Sequence, residues 1–356
     1  MFNETRSLAQ LGWRPFHSQQ LTLEDWYAAF PARIAAVQRT VLFVLAESGE
    51  RQVALPPRLR PDGTTPGITV GDWILIRGET LQVQRVLERQ SVITRLAAGA
   101  TLARQSIAAN IDTLFIVTSC NSDFNASRLE RYLAVAHEAG VTPVIVLSKS
   151  DTCTEPYKFI ESAERLAKDV SAVAVNGTDP IGSLAGLNPW LGAGQTVAFV
   201  GSSGVGKSTL INSLLGANIQ ETRQIRLSDD KGRHTTSARS LLWAPCGAWL
   251  IDTPGMRELK VGAVQAGLAR TFLDIDSLGA ACRFRDCSHR HEDGCAVRGA
   301  IDNGHLDARR LENYLKLARE AARAASTPWE RNRENKRFGR IARAAQRRRR
   351  RDTGRE

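Results

Sequence analysis

No stretch of this 356-residue chain approaches the ~18 consecutive apolar residues that a membrane-spanning helix needs, which excludes helical transporters and receptors. The opening residues, Met1-Phe-Asn-Glu-Thr-Arg-Ser7, lack the apolar core of a secretory signal, so a cytoplasmic protein is expected. Cysteine is scarce: there are six, and three of them, Cys282, Cys287 and Cys295, fall within fourteen residues. In a reducing compartment that clustering points to metal and not to a disulfide framework. What remains is the composition of an ordinary globular protein, too long for one core, so two or three domains are expected.

Charge is present in excess but unevenly placed. Residues 331–356 carry twelve Lys or Arg against three acidic residues, a net of +9, including five consecutive arginines from Arg347 to Arg351. The whole chain carries +11, so the preceding 330 residues are nearly neutral at about +2. A neutral body with a basic arm suits a polyanionic partner, and nucleic acid is the commonest one in a cytosol.

Pattern changes along the chain divide it. Residues 1–32 read as short packed turns. Residues 33–96 hold several short strand-like runs punctuated by Pro56, Pro57, Pro61, Gly63 and Gly71, the spacing of a small OB-type barrel. From 97 to 262, apolar strands at 112–118, 142–147, 172–175, 197–200 and 248–252 alternate with helices at 127–139 and 161–168, which predicts a parallel sheet covered on both faces. After 262 the pattern is helical, at 261–273 and 308–325, followed by the arm. The expected architecture is multidomain α/β. It comprises an extension (1–32), an OB-fold barrel (33–96), an α/β domain (97–262) whose motifs are read below as a circularly permuted P-loop fold, a helical domain around the cysteine cluster (263–325) and a basic, disordered arm (326–356).

The chemistry starts in the middle of the chain. Gly201, Ser202, Ser203, Gly204, Val205, Gly206, Lys207 and Ser208 form a complete phosphate-binding loop between an apolar run and a helix opening at Thr209. Its glycines let backbone N–H groups approach phosphate oxygens, Lys207 places a charge on the β- and γ-phosphates, and Ser208 offers an oxygen to Mg²⁺. Asp252-Thr-Pro-Gly255 follows a strand roughly 50 residues later, where Asp252 can hold Mg²⁺ through water and the Gly255 N–H can sense the γ-phosphate. Between them lies Gly232-Arg-His-Thr-Thr236, whose Thr235 or, preferably, Thr236 can reach Mg²⁺.

The base-reading motif lies upstream of all of these. Ser148-Lys149-Ser150-Asp151 follows the second strand of the sheet. Asp151 can accept from N1–H and the 2-amino group of guanine, which adenine does not offer, and Lys149 can pack over the base. Asn is the usual first residue; Ser148 predicts weaker guanine affinity. Asn176-Gly177 is a poor match to the loop that contacts guanine O6. The order of base motif, phosphate loop and switches is that of a circularly permuted GTPase. Such a rearrangement is permitted when the original termini lie close together.

Two further points complete the reading. Cys282-x4-Cys287-x-His289-x5-Cys295 supplies three thiolates and an imidazole, a closed tetrahedral set for one structural Zn²⁺, with His291 as a competing nitrogen. The residue after Gly255, where many GTPases carry a water-orienting Gln, is Met256. Intrinsic hydrolysis is therefore expected to be slow, with His234 either orienting the water or serving a contact or packing role.

The motif order, Gly-Arg-His-Thr-Thr, Gln105-Ser-Ile-Ala-Ala-Asn-Ile-Asp112 and the cysteine cluster resemble bacterial small-ribosomal-subunit-dependent GTPases of the YjeQ type, over roughly residues 33–320. The resemblance implies His289 as the fourth zinc ligand. It also implies GTP hydrolysis stimulated by the small (30S) subunit during late maturation, with contacts to 16S rRNA by a monomer that binds no membrane. A constitutive RNA-binding protein that uses nucleotide structurally is the alternative. A phosphate-loop kinase with an RNA-binding tail is a third reading, against which Asp151 argues.

Overall fold

The computed structural model describes residues 5–38, 40–59, 67–96, 104–216, 240–252 and 264–326. Two short helices open it, α1 (Pro15–Ser18) and α2 (Leu23–Ala28), the second started by a capping box in which Thr22 and Asp25 satisfy each other's backbone N–H groups. Five antiparallel strands follow: β1 (Ala29–Val37), β2 (Val41–Ala46), β3 (Gly49–Ala54), β4 (Trp73–Arg77) and β5 (Val83–Val86). They lie in the order β3-β2-β1-β4-β5 around an apolar cluster that includes Ile34, Val44, Ile74 and Ile76. Among the described residues no pairing joins β3 to β5, so an antiparallel sheet is what the register establishes.

A hairpin, β6 (Val92–Leu96) and β7 (Arg104–Ala109), leads into the central layer. There the chain runs β8 (Thr113–Ser119), α3 (Ala126–Glu138), β9 (Thr142–Ser148), α4 (Pro156–Glu164), β10 (Ser171–Ala174), α5 (Pro180–Leu187), β11 (Thr196–Val200), α6 (Lys207–Leu215), β12 (Ser240–Trp243) and β13 (Trp249–Asp252). β10, β9, β8, β11 and β13 are parallel neighbours in that order, and antiparallel β12 links β13 to β1 through the pair Ser240 and Ala36. Every residue of β8 and β11 is buried, as strands covered on both faces must be. Leu114 and Ile116 join the cluster on the α3 side, whereas Phe115 and Val117 join the one containing Leu210 and Leu214 of α6.

The sequence pattern misplaced two helices. The helix expected at 161–168 begins earlier, because Pro156 has the fixed φ of a first helical residue and Asp169, with φ +65°, turns the chain into β10. The helix expected at 261–273 is divided into α7 (Gln265–Thr271) and α8 (Leu273–Gly279). α9 (Ala296–Asp302) and α10 (Ala308–Ala325) complete the C-terminal module, the last with the expected bounds. α7 packs tightly on α3: a Cβ at Gly267 would lie 2.0 Å from the Ala134 carbonyl oxygen.

The N-terminal residues, the antiparallel sheet and the central layer meet at Arg33. Its fully buried guanidinium donates to Leu11 O at 2.7 Å, Asn110 O at 3.1 Å and Thr196 Oγ1 at 2.7 Å. Burial lowers its pKa to about 10, so it stays charged at neutral pH. Asn110, at φ +53°, donates to Gly71 O and accepts from Gln90 N at the same junction.

Candidate functional site

The C-terminal ends of β8, β9, β11 and β13 share one edge of the sheet, where ligands bind in open α/β folds. The phosphate loop leaves β11 there. Gly201 has φ +148° and faces the Val117 carbonyl so closely that a Cβ would lie 2.1 Å from it. Gly204 and Gly206 follow with φ +81° and +92°. Gly206 directly precedes α6, so the first amides of that helix point out of the loop at the place where an anion sits.

Two lysines close on the loop. Lys207 Nζ donates to Gly201 O at 2.7 Å and to Ser202 O. Lys149 Nζ reaches Gly204 O at 3.0 Å from a left-handed conformation with φ +58°. Both ammonium groups therefore rest on carbonyls of the loop. Ser208 and Thr209 are exposed in the first turn of α6.

The base motif meets the loop through Ser148. Ser148 is only 1% exposed, and its hydroxyl lies 3.0 Å from Thr118 O and 2.5 Å from Val205 O, with one proton to donate between them. It ties β9 to the phosphate loop. Asp151 is exposed in the turn Ser150–Thr152, which is bonded to the next strand end through Ser150 N to Val175 O at 3.3 Å. The loop holding Asn176 and Gly177 folds over α6, where a Cβ on Gly177 would stand 3.8 Å from Leu210 N. Base motif, base loop and phosphate loop are thus brought together. Burial, with a smaller contribution from Cys153, pushes the neighbouring Cys120 thiol up to about 11, which leaves it un-ionised beside this site.

Asp252 ends β13, next to the phosphate-loop strand, with its backbone in register with Ser240. The Asp252 side chain, His234, Thr235, Thr236, Gly255, Met256 and the arm beyond Ser326 lie outside the described residues. Sequence motifs gave no sign of Arg128, which donates from Nη1 to Ser202 Oγ of the phosphate loop and to Asp123 Oδ1 at 3.1 Å.

The second cluster lies in the C-terminal module. The ligand atoms of Cys282, Cys287, His289 and Cys295 all fall within 4.8 Å of one another. His289 Nδ1 is 3.6 Å from Cys282 Sγ and 3.5 Å from Cys295 Sγ, and those two sulfurs are 3.9 Å apart. Tetrahedral zinc, with bonds of about 2.3 Å to sulfur and about 2.0 Å to nitrogen, spaces its ligands by ~3.5–3.8 Å, so the donor set fits Zn²⁺. His291, the competing nitrogen, is exposed and outside the group. Glu292 shapes the loop between the ligands, its carboxylate accepting from Ser288 N at 2.9 Å, Arg290 N at 2.9 Å, His291 N at 3.0 Å and the Ser288 hydroxyl. The Ser288 bonds are the leading cause of its strongly lowered pKa.

Known proteins resemble this chain in sequence and in fold. The family model described as RsgA GTPase matches residues 86–262. A Vibrio vulnificus protein named small ribosomal subunit biogenesis GTPase RsgA 2 is 50% identical over 340 residues, spanning 96% of this chain and 95% of that one. A Mesorhizobium japonicum protein named small ribosomal subunit biogenesis GTPase RsgA is 48% identical over 317 residues, with coverage of 88% and 90%. Among solved structures, YjeQ from Thermotoga maritima overlays with a TM-score of 0.59 at 22% identity, covering 83% of this chain and 99% of its own. A second, described as YloQ, a circularly permuted GTPase, gives 0.57 at 22% identity, covering 84% and 97%. These overlays establish the permuted GTPase fold. Half-identity to a relative over nearly the full length of both chains establishes the rest: this chain belongs to the RsgA GTPase family and hydrolyses GTP.

Proposed function

We propose that this GTPase acts on the small ribosomal subunit, coupling GTP hydrolysis to late maturation of the subunit and to its own release. The observation that carries this reading is the near-full-length similarity to relatives named for small-subunit biogenesis. In it, Asp151 reads guanine while Lys149 packs over the base. Lys207 and the loop amides hold the β- and γ-phosphates. Ser208 and Thr236 bind Mg²⁺, with Asp252 reaching it through water; the ion offsets phosphate charge. Gly255 senses the γ-phosphate, and His234 orients the water that Met256 cannot.

The β1–β5 sheet, read as an OB barrel, the zinc module and the basic arm supply contacts to 16S rRNA, and the protein works as a cytoplasmic monomer. Switch two leads directly into the C-terminal module in this permuted order, so hydrolysis is communicated to the RNA-facing parts. GTP turnover measured with and without purified small subunits tests the reading. Stimulation of at least ~10-fold is expected, in line with GTPases whose catalytic constellation is completed by a partner. Unchanged turnover would leave a constitutive RNA-binding protein that uses nucleotide structurally.

A further inference from the structure

β8 runs parallel to β11 with Ile116 opposite Val200, so the turn leaving β8 lies beside the start of the phosphate loop. That turn is closely built. Asn121 Oδ1 accepts from Ser119 Oγ at 2.8 Å and from Asp123 N at 2.9 Å, and Asn125 caps α3 by accepting from Arg128 N at 2.9 Å. The outcome is an arginine in the first turn of α3 whose guanidinium rests between Asp123 and Ser202 Oγ. Ser202 follows Gly201, and the carbonyls of both accept from Lys207 Nζ. The tie from Arg128 uses the Ser202 hydroxyl and leaves those carbonyls to Lys207.

The same helix is gripped by the C-terminal module. Two residues beyond Arg128, the buried Glu130 carboxylate receives Arg309, Arg310 and Asn313 of α10. Arg131 pairs with Glu320 through two bonds, 2.6 and 2.9 Å. α3 thus touches the phosphate loop at its N-terminus and the module along its flank.

We propose that Arg128 is a positioning residue for GTP hydrolysis: it sets Ser202, and with it the first half of the phosphate loop, from a helix whose placement the C-terminal module fixes. Loop amides stabilise the charge that develops on the transferred phosphoryl group only if they are already aimed at it. Small displacements of such donors lower turnover more than ground-state affinity. The proposal rests on GTP hydrolysis by this chain and not on its ribosomal role, so it is tested on the full-length protein alone.

The experiment is steady-state GTP turnover of Ser202→Ala, Arg128→Ala, Arg131→Ala and the paired variants, with thermal unfolding as a control for folding. Ser202→Ala keeps the Arg128–Asp123 pair, so it separates loss of the tie from exposure of the Asp123 charge. It is expected to lower kcat about tenfold while KM for GTP stays within about threefold. The Ser202→Ala/Arg128→Ala pair is expected to be no slower than Arg128→Ala alone, and Arg128→Lys to recover part of the loss. Arg131→Ala should lower kcat in the parent protein and have no further effect once Arg128 is removed. Unchanged kcat in Ser202→Ala or Arg131→Ala, a loss carried by KM alone, or additive losses in the paired variants overturns the proposal.

Discussion

Arg310 donates to Glu130 at 2.9 Å across the interface between α10 and α3, and the Glu130 carboxylate is completely buried. The charges are matched by a dense set of partners. Glu130 also accepts from Arg309 and from Asn313 Nδ2 at 2.5 Å, while Arg310 reaches Asp274 at 2.7 and 2.9 Å and the carbonyls of Leu166 and Thr271 at 2.8 and 3.0 Å. Burial works against the Arg310 charge, yet Asp274 and Glu130 outweigh it and raise the pKa. Removing Glu130 leaves the largely buried Arg310 with Asp274 as its one remaining carboxylate, which costs up to about 3 kcal/mol because Asp274 and Arg309 are partly solvated. Glu130→Ala is therefore expected to destabilise the docking of the C-terminal module by that order, read as an early denaturation phase. Replacing Glu130 and Arg310 together by Leu and Met should be milder than the single change. A Glu130→Ala protein that unfolds with the parent would show that the network contributes no net stability.

Asp151 stands exposed in the turn after β9, and the proposed function has it accept from guanine. Asp151→Asn replaces one acceptor oxygen by an amide donor. Xanthine carries a carbonyl where guanine carries its 2-amino group, so the variant should prefer xanthosine triphosphate to GTP. A polar mismatch inside a recognition site costs at least ~100-fold in discrimination. Competition between the two nucleotides in turnover measures the ratio for parent and variant. An unchanged ratio would remove Asp151 from base reading.

The phosphate loop, the sheet strands and the metal cluster were legible in the sequence because each is a local pattern. β8, β9 and β11 are buried on both faces and read as continuous apolar runs, and α10 shows its period over 18 residues. β12 is four residues at the outer side of the parallel strands, too short to show a period, and α5 carries two glycines in eight residues. Residues that join distant segments were not legible at all. Arg33 meets Thr196, Arg128 meets Ser202 and Glu130 meets Arg310 across 163, 74 and 180 residues of chain. The bonds of Ser148 to the carbonyls of Thr118 and Val205, 30 and 57 residues away, were hidden for the same reason.

The metal cluster separates two histidines that the spacing alone could not. His289→Ala should lose tight zinc retention, and His291→Ala should keep it, measured by competition with a chromophoric chelator. Glu292→Ala tests the scaffold around the ligands. It frees three backbone N–H groups and the Ser288 hydroxyl, so zinc affinity is expected to fall about 10–100-fold, as when outer partners of metal ligands are lost. Nucleotide binding in all three variants should match the parent, because the phosphate loop and the cluster share no ligand. Parent-like zinc affinity in Glu292→Ala would assign its bonds to loop shape alone.

His137 makes the α3–α7 contact sensitive to acid. Its Nδ1 lies 2.9 Å from Thr271 Oγ1, the side chain is almost wholly buried, and burial, assisted by Arg270, lowers its pKa to about 4. The unfolded chain then binds a proton near the ordinary histidine pKa of about 6.5, while the folded chain does not until about 4. Stability from this group is complete above pH 6.5 and is lost progressively as the pH falls toward 4. Between pH 7 and 5 the loss is on the order of 1–2 kcal/mol, which corresponds to roughly 2–6 °C in Tm for a unit of this size. His137→Gln keeps a polar partner for Thr271 and cannot titrate. The expected result is a smaller fall in Tm between pH 7 and 5 in His137→Gln than in the parent. Parallel Tm–pH curves for the two proteins would place the acid sensitivity elsewhere, with buried His17, whose pKa is also lowered chiefly by burial, as the next group to replace.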